Sequence, residues 1–140
     1  MAITISYKNN KGEPIDSKEK VCNVIYKEDG NVKKIEHVAY YSVFRVTYYM
    51  SDDESIINIL NDINIDYVDI IKTTVIGNYK IEESTIYADK ELYLMSKTLY
   101  DEFDHSICEQ PCDIITKEAI LNNIEKFINN DLDEIEIWFH

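Results

Sequence analysis

The sharpest constraint on this chain is where its few chain-turning residues stand. It has three glycines and two prolines in 140 residues. Two of the glycines fall in two-residue breaks between β-rich runs, at Asp29-Gly30 and Gly77-Asn78. Asp-Gly tolerates positive φ at both central positions and predicts a type I′ hairpin; Gly at the first position predicts type II′. The first break follows Val21–Lys27. The second joins Tyr67–Ile76 to Tyr79–Tyr87. Little glycine or proline is left to build a linker, so one domain over residues 1–140 is expected.

The flanking segments read as strands. Ile3, Ile5 and Tyr7 alternate with Thr4 and Ser6. Lys8 to Asp16 is a polar loop. The run from Val32 to Tyr49 is dense in β-branched and aromatic residues, which suits one bent strand or two short ones. Within it Tyr40-Tyr41 and Tyr48-Tyr49 are each expected to place one ring on either face of a strand.

Three stretches read as helices. Ser51-Asp52-Asp53-Glu54 has the form of a capping box, followed by Ile56, Ile59, Leu60 and Ile63 on one helical face. Asp89 is a possible cap for a second helix, whose stripe is Leu92, Met95, Leu99 and Phe103. After a loop from Asp104 to Asp113, Thr116 begins a third, with Ile120, Leu121, Ile124, Phe127 and Ile128 on its apolar face. Ile135, Ile137 and Phe139 alternate as a last strand. The expected fold is α+β: a largely antiparallel sheet with about three helices packed on one face.

Charge narrows the function classes. The formal net charge is -13, and it is uneven: residues 1–50 carry eight Lys/Arg against six Asp/Glu, whereas residues 51–140 carry six against 21. Such a field repels nucleic acid and anionic membrane and attracts basic partners. The only arginine is Arg45. With Lys27, Lys33 and Lys34 it makes at most a small basic strip, which argues against phosphate recognition. No run approaches the length of a membrane span. Met1–Ser6 lacks the basic and apolar regions of a signal peptide. Cys22, Cys108 and Cys112 are an odd number of cysteines, against a disulfide framework. The expectation is a cytoplasmic protein.

Catalytic signatures are absent: there is no G-x-G-x-x-G, Walker, G-x-S-x-G or H-E-x-x-H sequence. Asp62-x-Asn64-x-Asp66 begins like a calcium loop, but Tyr67 stands where glycine is needed and Thr73 where the loop ends in glutamate. His105, Cys108 and Cys112 form the only cluster of soft ligands, short of a fourth for zinc. Either thiol could act as a nucleophile beside His105, but the surrounding carboxylates raise thiol pKa values. The plainer account makes both cysteines small buried residues. No cofactor is expected.

The acidic stretch around residue 100 carries the functional expectation. Asp101, Glu102 and Asp104 fall in the last turn of the second expected helix, where carboxylates oppose the helix dipole. Glu109 and Asp113 extend the cluster, and Tyr100 lies beside it. Rings among carboxylates suit the docking of basic side chains; solubility is the plainer account of the charge. In size, acidity and lack of a catalytic signature the chain resembles the small cytoplasmic immunity proteins of bacterial toxin systems. That resemblance implies a non-catalytic protein that binds and neutralises a cognate toxin, often a nuclease, by covering its basic site. The contact expected here is Tyr100, Asp101, Glu102, Asp104, Glu109 and Asp113. A small metal or cysteine enzyme at His105, Cys108 and Cys112, and an accessory subunit of a larger assembly, are the alternatives.

Overall fold

A computed structural model describes residues 2–116 and Ile124. Among them the fold is a β-sheet protein with one short bounded helix, and the expected α+β arrangement with three helices is overturned. In chain order the elements are β1 Ile3–Asn9, β2 Pro14–Ile15, β3 Cys22–Glu28, β4 Asn31–Ala39, β5 Ser42–Tyr49, α1 Ile56–Asp62, β6 Tyr67–Ile76, β7 Tyr79–Ala88, β8 Glu91–Tyr100 and β9 Ser106–Pro111. The strands hydrogen-bond in the order β2-β1-β3-β4-β5-β6-β7-β8-β9. From β3 onward each strand thus neighbours the next in the chain, through short hairpin connections except between β5 and β6, where the chain passes through α1.

Two-residue turns set this order. Asp29 and Gly30 both have positive φ, as expected of a type I′ turn, and Gly77 has φ 58° at the first position of its turn. Two further turns use residues that pay steric strain. Tyr40 and Tyr41 have φ 52° and 65°, and Asp89 and Lys90 have φ 50° and 67°. The tyrosine pair therefore does not straddle a strand; it is the turn between β4 and β5, with Tyr40 75% exposed and Lys20 over its ring. Asp89 is not a helix cap but the start of the β7–β8 turn. Asp suits both positions because its short polar side chain tolerates left-handed backbone and can cap a helix.

The second expected helix is thus strand β8. Its stripe cannot share one strand face, since Leu92 is out of phase with Met95, Leu99 and Phe103. Leu99 is fully buried, whereas Phe103 is exposed beyond the strand end. The loop expected at 104–113 contains β9, and the loop at 8–16 contains β2. The first expected helix does form, one turn later than its capping box. Ser55 is the cap, its hydroxyl accepting from the Asn58 N–H, while Glu54 accepts from the Ser51 N–H to close the turn before it. The third helix and the last strand lie outside the described residues, apart from Ile124, which is helical and buried.

The chain packs as two compact units: one of residues up to Ile70 with Tyr87–Glu91, the other of Ile71–Ile86 with residues from Leu92 on. In the first, α1 lays Ile59 and Leu60 against Val68 and Ile70, with Tyr48 and Tyr87 alongside, and Cys22, Val24 and Val38 form a second cluster. In the second unit Leu99, Cys108 and Ile124 make the core, flanked by Tyr79 and Ile81. None of the helices among the described residues is long and apolar enough to cross a membrane.

Candidate functional site

The acidic residues singled out from sequence do not form one cluster. Tyr100, Asp101, Glu102 and Asp104 come together at the β8–β9 connection, a hairpin loop rather than a helix end, so no helix dipole acts on them. Glu109 lies in mid-β9, opposite Thr98, and is half-buried. Asp113 lies past the far end of β9, about 20 Å along the strand at roughly 3.3 Å per residue. There its carboxylate accepts from the N–H groups of Thr116 and Ile115, and these bonds hold its pKa below the ordinary value.

The loop is tightly built. Asp101 Oδ1 accepts from the backbone N–H groups of Phe103, at 2.8 Å, and His105, at 2.9 Å. The Asp101 N–H donates to the His105 carbonyl at 2.9 Å and closes the loop. Asp104 takes φ 62°, which a short polar side chain tolerates. The bonds from the His105 and Phe103 N–H groups hold the Asp101 carboxyl below its usual range, although solvation loss opposes them. Its Oδ2 lies 3.4 Å from His105 Nδ1, so both carboxylate oxygens face the loop and Asp101 is a loop former. Replacing it with alanine should leave the fold intact but raise amide exchange at Phe103 and His105 by roughly tenfold or more, whereas Asp101→Asn, which keeps the acceptor oxygen, should restore most of the protection. Equal exchange in all three proteins would refute this role.

What the loop presents is Phe103, 71% exposed at its tip. The His105 ring lies tilted beside it at 6.3 Å. Glu102 is exposed next to it. On its other side Asp104 binds Lys80 Nζ at 2.9 Å, and this bond raises the lysine pKa. Lys80 also lies over the Tyr100 ring, 5.2 Å from its centre. Burial raises the Tyr100 pKa, and the neighbouring Glu82 adds to it. The tyrosine is thus a braced support beneath the tip rather than a free anchor. Sequence reading missed Phe103, which it assigned to a buried helical stripe; carboxylates on both sides of the ring were the available signal.

The soft-ligand cluster is not assembled. His105 is exposed, whereas Cys108 and Cys112 are buried. Among the described residues no three His, Cys, Asp or Glu side chains are placed to hold a metal ion.

A second constellation was also missed, because its members are scattered in sequence. In the first unit His37 Nδ1 lies 3.0 Å from Asn23 Oδ1 and Nε2 2.9 Å from Thr47 Oγ1. Arg45 and Asp69 pair beside it at 3.4 Å. Strand register creates the group: Asn23, His37 and Arg45 stand opposite one another on β3, β4 and β5. The order amide, imidazole, hydroxyl is that of an activated nucleophile. Thr47, however, is only 8% exposed, so its hydroxyl is closed to a substrate. Burial lowers the His37 pKa, and Arg45 adds to the effect, which keeps the ring neutral. The arrangement fits a network that satisfies buried polar groups.

Compared with protein-family models, with curated protein sequences and with solved structures, the chain matches none.

Proposed function

We propose that this chain is a non-catalytic binding protein for a basic protein partner, and that the β8–β9 loop is its docking element. The observation that carries the reading is Phe103, an exposed ring on a backbone-braced loop with Glu102 and Asp104 on either side. A rigid aromatic anchor contributes contact area at low entropic cost, and the adjacent Glu102 carboxylate steers and orients a cationic surface, while Asp104 is held by Lys80. The strongly acidic residues 51–140 add long-range attraction to the same kind of partner. Size and acidity favour a cognate bacterial toxin as that partner, neutralised in the cytoplasm. Glu102 and Phe103 are the contact residues. Asp101 and Tyr100 hold the loop, and Glu109 and Asp113 lie away from it.

The test is affinity capture of the tagged protein from its host's lysate, washed at low and then high salt, beside the double variant Glu102→Lys/Phe103→Ala. The expected result is a stoichiometric basic partner that salt weakens and that the variant binds at least roughly tenfold less well. Co-expression with that partner should then rescue growth for the native chain and not for the variant. A partner retained equally by both proteins, or held independently of salt, would overturn the assignment.

A further inference from the structure

Among the described residues, the outer edge of β1 is covered over only half its length. β2 has two residues, and its register places Ile15 opposite Tyr7 and Pro14 opposite Lys8. From Ile3 to Ser6 no described strand lies on that side. The direction of the backbone groups there follows from the hydrogen bonds at the strand ends. The Ala2 carbonyl accepts from the Asp29 N–H, so Ala2 faces β3, whereas the Asn9 N–H donates to Glu13, away from β3. Antiparallel pairing alternates strictly between the two sides. The N–H and C=O groups of Thr4 and Ser6 therefore point to β3, and those of Ile3 and Ile5 point to the open edge.

This edge lacks the usual protection against pairing. Ile3–Ser6 contains no charge, no proline and no bulge, and its isoleucine side chains are 64% and 52% exposed. Proline and lysine stand only on the half that β2 already covers. The open half also lacks carboxylates, so it is not a surface that would draw a basic partner. Residues 3–28 carry five Lys against four Asp/Glu. That near-neutral balance lets two copies of a chain of net charge -13 approach with little repulsion.

We propose that β1 is a self-association edge, at which two copies of this chain pair their β1 strands antiparallel about a two-fold axis through Thr4. That axis sets Ile3 of one copy opposite Ile5 of the other, and Ile5 opposite Ile3. All outward N–H and C=O groups of both residues are then paired, in four hydrogen bonds. An axis through Ile5 would drive Ile3 against the residue that β2 covers, Tyr7. An axis through Ile3 would leave Ile5 beyond the other copy's described strand. The isoleucines of both copies share one face, continuing the row that joins Ile5 to Tyr26 and Lys34. Thr4 meets its own symmetry mate in a non-hydrogen-bonded pair, a favourable cross-strand contact. The contact is small beside a standard interface, so the dimer is reversible and concentration-dependent. This inference is independent of the β8–β9 loop.

Sedimentation equilibrium of the full chain tests it. The native protein should rise from 16.5 kDa toward twice that mass with concentration, up to about 200 µM. Ile5→Pro removes an outward N–H that the β1–β3 ladder does not use, so it should abolish the dimer with the fold retained. Ile3→Lys/Ile5→Lys, which sets lysines opposite each other, should do the same. Register is read by cysteine cross-linking. Thr4→Cys should oxidise to a covalent dimer, because non-hydrogen-bonded partners sit about 4.5 Å apart between Cα atoms. Ser6→Cys should not, since its neighbour is Ala2. Glu102→Lys/Phe103→Ala should dimerise like the native chain. A native protein that stays monomeric would overturn the proposal. So would a dimer that survives Ile5→Pro, or equal cross-linking at positions 4 and 6. A monomer with slowly exchanging Ile3 and Ile5 amides would assign the edge to another strand of the same chain, and would overturn it too.

Discussion

Replacing Glu54 with glutamine should destabilise the protein by about 2 kcal/mol at neutral pH and remove much of its acid sensitivity. Glu54 sits just before α1 and accepts hydrogen bonds from the Lys33 ammonium, the Tyr48 hydroxyl and the Ser51 N–H. Partial burial pushes its carboxyl up, but these donors together outweigh it and bring the pKa from 4.5 down to about 2. The folded protein therefore takes up this proton less readily than the unfolded chain. The resulting stability is fully present above about pH 4.5 and is lost as pH falls toward 2. The shift corresponds to about 3 kcal/mol, which a side chain one-quarter exposed reduces by solvent screening. Glutamine keeps the shape but loses the charge that makes these bonds strong. Urea denaturation of both proteins at pH 7, 4.5, 3 and 2 checks this. The gap between them should be largest at pH 7 and close as the pH falls. His37 also lowers stability in acid, beginning below its ordinary value of 6.5, because the folded ring resists protonation. That loss is common to both proteins and cancels in the comparison. A gap independent of pH would show that Glu54 acts by packing alone.

Leu99→Ala should cost about 3–4 kcal/mol, through lost apolar burial and the cavity left behind. Leu99 has no exposed surface and packs with Cys108 and Ile124 at the centre of the second unit. β8 holds it directly opposite Cys108 on β9, and Gln110 pins the other wall by accepting from the Ile124 N–H at 2.9 Å. A wall fixed by hydrogen bonds cannot readily collapse into the space, which keeps the cost clear of the lower end of the usual range. Phe103→Ala removes a larger side chain four residues on, yet should change stability by less than about 0.5 kcal/mol because that ring is already in water. Both residues belong to the same helical stripe when read from sequence. Thermal and urea denaturation of the two variants therefore separates a strand that ends at Tyr100 from a helix that continues through Phe103. Similar losses for both would contradict the fold described.

The legible parts of the sequence were those governed by one or two residues. Positive φ at Asp29, Gly30 and Gly77 is a local preference, so two turns and their flanking strands could be read directly. Tyr40, Tyr41 and Lys90 turn the chain without such preference, and Asp89 suits a turn and a helix cap equally well. The local strain is outweighed by the strand pairing on either side, so nothing at those positions singled out a turn. Reading Asp89 as a cap then made a helix of β8 and turned the β8–β9 loop into a helix end. The acidic residues divide for the same reason. Tyr100, Asp101, Glu102 and Asp104 are neighbours because they are adjacent in the chain. Glu109 and Asp113 are close to them in sequence, but β9 is extended and carries them away.

From the sequence alone came the uneven charge, the four β segments around the glycine turns, and the existence of a helix after Glu54. These rest on composition, backbone sterics and capping, which act over a few residues. Tertiary structure decided which face each strand buries, that Leu99 is core while Phe103 is surface, that Asn23, His37 and Thr47 meet, and that no described strand lies on the outer side of the first half of β1. Each of these depends on which strands lie side by side and in what register. A one-residue shift of register exchanges the two faces of a strand, so such properties belong to pairings between distant segments and cannot be read from either segment alone.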